Sequence, residues 1–185
     1  MLRCKTFVCN PYQQCTYVVN KEGEKNCFIV DAGMYTPDEQ QAVSEYIRRE
    51  QLVVEAILVT HSHPDHICGL EWLQKTYPDA KLVQYTAGSP APMTIRLSSS
   101  ACQILRTPGH KEDCLCYYLP DEGVLFSGDT LFYGSVGRTD LPGGDYMTLI
   151  ESLHRLIQLP AETKVYPGHG EPTTIAHEKQ YNPFV

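Results

Sequence analysis

Apolar residues recur along this chain in two rhythms, and the switches between them lay out alternating strands and helices. Residues 15–19 and 26–30 are strand-like runs around the polar turn Lys21-Glu22-Gly23-Glu24-Lys25, which reads as a hairpin. Thr36-Pro37-Asp38-Glu39 then carries a helix-start signature: Thr36 as N-cap, proline at the first helical position and Glu39 closing a capping box. Ala42, Val43, Tyr46 and Ile47 follow at helical spacing. A strand over 53–60 leads to a predicted helix over 66–77, with Ile67, Leu70, Leu73 and Tyr77 along one side, and 81–85 reads as another strand. Residues 86–100, rich in Ser, Pro and Ala and without period, are expected to form a loop. Strands are predicted near 101–106, 114–119 and 123–128, the last two joined by Pro120-Asp121-Glu122-Gly123. Asp145 is placed to cap a helix carrying Leu149, Ile150, Leu153, Leu156 and Ile157, before a final strand over 163–166. This alternation predicts a layered α/β domain without internal linker or short repeat.

The chemistry concentrates where one strand ends. His61-Ser62-His63-Pro64-Asp65-His66 puts three imidazoles and a carboxylate straight after Ala56-Ile57-Leu58-Val59. In an extended segment His61 and His63 point to one side, and Pro64 keeps His63 extended while ending that geometry, so two imidazoles can grip one ion. Asp65 is then placed to cap a helix beginning near His66, aiming a carboxylate and a third imidazole beside the first ion. Such an arrangement implies two metals. Three more polar residues follow strand-like runs, each behind a glycine: His110, Asp129 and His169. A glycine there allows a sharp turn and a close backbone approach. His154, in a helical pattern, and His177, in a polar tail, read as ordinary solvated residues.

Composition narrows the field. At 185 residues and 42% hydrophobic content, the chain is expected to be one domain over 1–185. A net charge of −7, with no basic run interleaved with aromatics, argues against nucleic-acid partners. The first nine residues lack an apolar core of signal-peptide length and no later segment is long enough to span a bilayer, so a cytoplasmic protein with no membrane partner is expected. The 8 Cys include no C-x-x-C pair and are expected to be reduced, mostly buried thiols, with Cys68 expected to pack at a helix start and a place near the metals as its alternative. The glycine-rich stretch 134–145 matches no nucleotide-binding pattern and reads as an active-site loop.

H-S-H-P-D-H, T-P-G-H at 107–110, S-G-D-T at 127–130 and P-G-H-G at 167–170 resemble the ordered motifs of the metallo-β-lactamase-fold hydrolases, and the match spans nearly the whole chain. Asn26-Cys27-Phe28-Ile29-Val30-Asp31-Ala32-Gly33 resembles that superfamily's early strand and turn. Gly134-Ser135-Val136-Gly137-Arg138-Thr139-Asp140 and Pro142-Gly143-Gly144-Asp145 resemble its glyoxalase II-like branch, and Asn182-Pro183-Phe184 resembles the ending of small bacterial members. The resemblance implies a four-layer αββα sandwich. It also implies two divalent ions, zinc first and iron or manganese otherwise: His61, His63 and His110 on one, Asp65, His66 and His169 on the other, with Asp129 and a hydroxide bridging them. Asp65 is the family's candidate for orienting that hydroxide. Full-length glyoxalase II enzymes add a C-terminal helical domain, which this chain is expected to lack. The implied activity is hydrolysis of a small thioester such as S-lactoylglutathione. Lys111 and Arg138 are candidate substrate contacts, with a solvated loop lysine and a pairing of Arg138 with Asp140 or Asp145 as their structural alternatives. Other implied readings are a persulfide dioxygenase with one iron on His61, His110 and Asp129, a hydrolase of another small ester, lactone or amide, and a non-catalytic metal-binding module.

Overall fold

The structure, a computed structural model, describes residues 1–85 and 94–185. Its strands are β1 (Leu2–Cys9), β2 (Gln14–Lys21), β3 (Asn26–Val30), β4 (Val53–Leu58), β5 (Lys81–Val83), β6 (Thr94–Leu97), β7 (Ser100–Arg106), β8 (Leu115–Leu119), β9 (Val124–Gly128), β10 (Leu131–Phe132), β11 (Ser135–Val136), β12 (Lys164–Pro167) and β13 (Thr173–Thr174). The helices are α1 (Pro37–Arg49), α2 (Pro64–Ile67), α3 (Leu70–Thr76), α4 (Tyr146–Leu156) and α5 (Ile175–Tyr181). One sheet runs β1-β2-β3-β4-β5, parallel from β3 onward; the other runs β13-β12-β9-β8-β7-β6, with β12 and β9 parallel.

Side chains alternate across each strand, so a strand covered on both faces is apolar throughout. In β2, Tyr17 and Val19 face inward to meet Phe28, Leu58, Tyr117 and Phe126 between the sheets, while Val18 turns outward to Val43 and Ile47 of α1 and Leu73 of α3. On the far side, Cys116, Tyr118 and Leu125 pack against Leu149, Leu153 and Leu156 of α4 and Ile175 of α5. These three apolar seams make the expected αββα sandwich. The predicted caps hold too: Thr36 accepts from the Glu39 N–H with the reciprocal bond present, and Asp145 accepts from the Thr148 N–H at 2.7 Å. All 8 Cys are free thiols, and burial pushes Cys4, Cys9, Cys27 and Cys102 up to about 12.

Several expectations need correction. The N-terminal residues form β1, whose inward Leu2, Cys4 and Thr6 alternate with exposed Arg3 and Lys5, a period-2 signal too polar to stand out. Of the expected loop, 86–93 lies outside the described residues, and 94–97 is β6, paired with β7 and burying Ile95 and Leu97. The helix predicted over 66–77 is two helices. Gly69 between them donates its N–H to the Ala32 carbonyl at 2.8 Å, and a Cβ there would meet the Met34 carbonyl at 2.8 Å. Asp65 does not cap α2: Pro64 takes the first helical position and His63 becomes the N-cap without a side-chain cap bond, which leaves the Asp65 carboxylate facing His169. Ala42 lies outside the apolar stripe, exposed.

Candidate metal centre

All seven predicted site residues meet at one edge of the sandwich, beyond the carboxyl ends of β4, β7, β9 and β12. His61 and His63 follow β4, and Asp65 and His66 sit in the first turn after Pro64. His110 follows β7 through Thr107-Pro108-Gly109, Asp129 follows β9 directly and His169 comes two residues after β12. Backbone bonds lock these ends together: Leu115 N–H to Thr60 O at 2.8 Å, Gly168 N–H to Gly128 O at 2.8 Å and Cys15 N–H to Gly168 O at 2.7 Å. The glycines before the ligands do different jobs. A Cβ on Gly168 would sit 2.1 Å from Asp129 Oδ1, so it is glycine because of the site, whereas one on Gly109 would strike the Leu149 backbone of α4 at 2.3 Å.

In the first pocket, His63 Nδ1 lies 3.0 Å from His61 Nε2 and 2.8 Å from His110 Nε2. His110 uses Nδ1 to donate to the Arg138 carbonyl at 2.7 Å. Thr60 Oγ1 donates to Asp31 Oδ2 and, 3.1 Å from His61 Nδ1, accepts from it. In the second pocket, His66 Nε2 lies 3.3 Å from His169 Nε2, 3.2 Å from Asp129 Oδ1 and 3.6 Å from Asp65 Oδ2. His66 Nδ1 donates to Asp31 Oδ2 at 2.8 Å, and His169 Nδ1 donates to the Tyr12 carbonyl at 3.0 Å. An imidazole that gives its one proton outward turns a lone pair inward. Four of the five histidines do so, and lone pairs facing each other at these distances suit a cation between them. Asp129 reaches both pockets, with Oδ2 3.5 Å from His110 Nε2 and 3.6 Å from His169 Nε2. Its buried Oδ1 makes no directed hydrogen bond even with His66 Nε2 nearby. Three overlapping groups result: His61, His63 and His110; His61, His66 and Asp129; Asp65, His66 and His169. This donor set fits a pair of divalent ions.

The two pockets differ in field. Burial pushes His61 well below its ordinary pKa and lowers His63, and neighbouring imidazoles push both the same way. Burial would also lower His66, but the Asp31 and Asp129 carboxylates outweigh it and hold His66 well above the usual value. His169 is raised likewise: burial opposes, and Asp65 and Asp129 prevail. Without ions the second pocket therefore draws protons, as a carboxylate-rich cation site does. A cavity of about 430 Å³ opens onto both, walled by His63, Asp65, His110, Asp129 and His169 with Tyr12, Pro64, Arg138 and Leu141.

Arg138 pairs with Asp140 through two bonds of 2.7 and 2.6 Å yet stays largely exposed on the cavity rim. Lys111 is not solvated: it reaches Ser62 and Asp113 and does not join the cavity wall. Cys68 is exposed, its thiol turned to the Gly33 carbonyl at 3.2 Å rather than into a core. His154 is exposed as expected, but His177 stacks on Tyr133 at 4.6 Å and lies tilted against Tyr181 at 4.9 Å. Sequence reasoning missed Asp31, which accepts from Thr60 N–H at 2.7 Å and orients His66. Its signal was its place: a polar residue directly after a strand, like the other candidates.

The profile described as metallo-beta-lactamase superfamily matches residues 9–103 and 100–169. The probable metallo-hydrolase YqgX of Bacillus subtilis (strain 168) is 34% identical over 88% of both chains. The hydroxyacylglutathione hydrolase of Francisella tularensis subsp. novicida (strain U112) is 35% identical over 72% of this chain, which spans 56% of that protein. Among solved structures, BLEG-1 B3 metallo-beta-lactamase superposes with a TM-score of 0.89 at 32% identity, covering 100% of this chain and 99% of its own. TTHA1623 in a di-iron-bound form gives 0.83 at 32% identity, covering 98% and 100%.

Proposed function

This chain belongs to the metallo-beta-lactamase superfamily, and from that premise we propose that it is a dinuclear metallo-hydrolase cleaving a small thioester, S-lactoylglutathione or a close relative. The observation that carries the reading is the inward convergence of imidazole lone pairs onto two adjacent pockets that share Asp129, beneath an open cavity. His61, His63 and His110 would hold one ion, Asp65, His66 and His169 the other, and Asp129 would bridge; zinc is the first expectation, with iron and manganese suited to the same donors. Bound there, two divalent ions supply a water acidified toward neutral pH and polarise a carbonyl under attack. The Asp31 carboxylate and the Tyr12 and Arg138 carbonyls fix the protonated faces of His66, His169 and His110, so the bare nitrogens stay aimed inward. Asp65, with Oδ2 3.2 Å from His169 Nε2, orients the attacking water from the cavity side. Burial would raise its pKa, but the bond to His169 and the nearby His66 hold it below the usual carboxylate range, which suits it to orient rather than to take up a proton for long. Arg138 on the rim offers a guanidinium to an anionic glutathione moiety.

A glutathione thioester is supported by the hydroxyacylglutathione hydrolase similarity, in which this chain spans about half the relative's length. The test is anaerobic hydrolysis of S-lactoylglutathione and a thioester panel by the metal-loaded chain. Thioester cleavage without oxygen, lost in His66→Ala and His169→Ala, is expected. Oxygen uptake with glutathione persulfide, one iron per chain and no thioesterase activity would instead indicate the dioxygenase chemistry that needs only His61, His110 and Asp129.

A further inference from the structure

The turn behind His110 carries a cluster that the reaction above does not use. Asp113 Oδ2 accepts from the Ser62 N–H at 3.1 Å, from the Ser62 hydroxyl and from Lys111 Nζ at 3.3 Å, and Lys111 also donates to the Ser62 hydroxyl oxygen. Ser62 lies between His61 and His63, while Lys111 and Asp113 follow His110 in the turn that leads away from it. The bonds thus join the two segments that build the first pocket. The Asp113 and Lys111 side chains are 15% and 21% exposed, so the ion pair is mostly screened from water. Asp113 Oδ1 is buried without a hydrogen-bond partner, so all of that carboxylate's bonding goes through the one oxygen facing Ser62.

We propose that Asp113 is a positioning residue for the first pocket, holding the Ser62 segment against the His110 turn, with Lys111 closing the contact. The proposal rests on the dinuclear reading above. Outer partners of this kind set ligand spacing, and their loss costs about ten- to a hundredfold in metal affinity. The second pocket, built by Asp65, His66 and His169, makes no bond to this cluster.

The experiment is stepwise zinc binding to the metal-depleted full chain, by competition with a chromophoric chelator, together with the ligand-field spectrum of the cobalt-loaded protein. Wild type is compared with Asp113→Ala, Asp113→Asn and Ser62→Ala. Asp113→Ala should weaken one of the two sites about ten- to a hundredfold, leave the other unchanged and alter one component of the cobalt spectrum. Asp113→Asn should rescue part of the loss, because an amide oxygen can still accept from the Ser62 N–H. Ser62→Ala, at an exposed position with little risk to folding, should weaken the same site more mildly, and it carries the test if Asp113→Ala does not fold. Two sites of wild-type affinity in the variants, or equal weakening of both, would overturn the positioning role alone. Wild type binding fewer than two ions would contradict the dinuclear reading and this proposal with it.

Discussion

At the scale of single residues, the site's geometry turns on where each imidazole spends its one proton. Asp31 holds His66 by its Nδ1–H from a left-handed backbone position, φ 61°, that Asn also tolerates. Asp31→Asn should therefore fold, yet its amide offers His66 a donor where an acceptor stood. We predict about ten- to a hundredfold weaker binding of one ion, read by chelator competition; wild-type affinity would mean that Asp31 does not orient His66. Asp129 faces both pockets, so Asp129→Ala should weaken both ions together while His154→Ala leaves metal content alone. Equal loss in both variants would contradict the ligand set. These residues were unequally legible. Histidines are scarce, and seven in the chain with five behind strand ends or in one six-residue run make a loud signal. Asp31 is one acidic residue among 22, and only its place after β3 marks it.

At the scale of elements, two carboxylates fasten helices to the site-bearing loops. Glu39 of α1 accepts backbone N–H groups from Asn10 at 2.7 Å, Tyr35 at 2.7 Å and Thr36 at 2.8 Å. Burial would raise its pKa, but those three donors outweigh it and hold Glu39 below its usual value. A lowered carboxyl pKa contributes stability that is whole above the unfolded value, about 4.3, and is lost as pH falls through the folded value. In ion-free protein, the urea midpoint of Glu39→Gln should lie below wild type at pH 7, and the gap should shrink below about pH 4.3; a gap unchanged at pH 3 would contradict this. Glu178 of α5 is fully buried and accepts from Gly134 N–H at 3.0 Å, Thr173 Oγ1 at 2.5 Å and Asn182 Nδ2 at 2.7 Å. Glu178→Ala removes the acceptor of all three and should cost about 2–4 kcal/mol in denaturant unfolding, less than three full penalties of about 1–3 each, because Gly134 is only half-buried and Asn182 Nδ2 keeps its bond to the Ser135 carbonyl. Elements with strong local chemistry were readable: the capping box, the Asp145 cap, the hairpin turn. Those set by tertiary contact were not. β1 and β6 become strands by pairing with β2 and β7, and the break at Gly69 comes from the packing of residues 32–34 against it.

At the scale of the whole molecule, the proposed ligands come from both halves of the sandwich: His61, His63, Asp65 and His66 follow the first sheet's β4, and His110, Asp129 and His169 follow strands of the second. Each ion would thus tie one sheet to the other across the site-bearing edge. Metal removal should lower the thermal midpoint of the intact chain, by the equivalent of about 2.7 kcal/mol for each site held at a hundred times its Kd. An unchanged midpoint with and without chelator would mean that no ion binds the folded chain in preference to the unfolded one. The alternation of apolar runs made the layered architecture legible, whereas the meeting of four strand ends at one edge depends on parallel pairings of β3 with β4 and β9 with β12, which no local pattern encodes. The central claim is that this edge holds two ions sharing one carboxylate, and elemental analysis after saturation of the metal-depleted chain tests it most directly. Two ions per chain with at least one of zinc, iron and manganese is the predicted result; one ion per chain with every one of the three would contradict it.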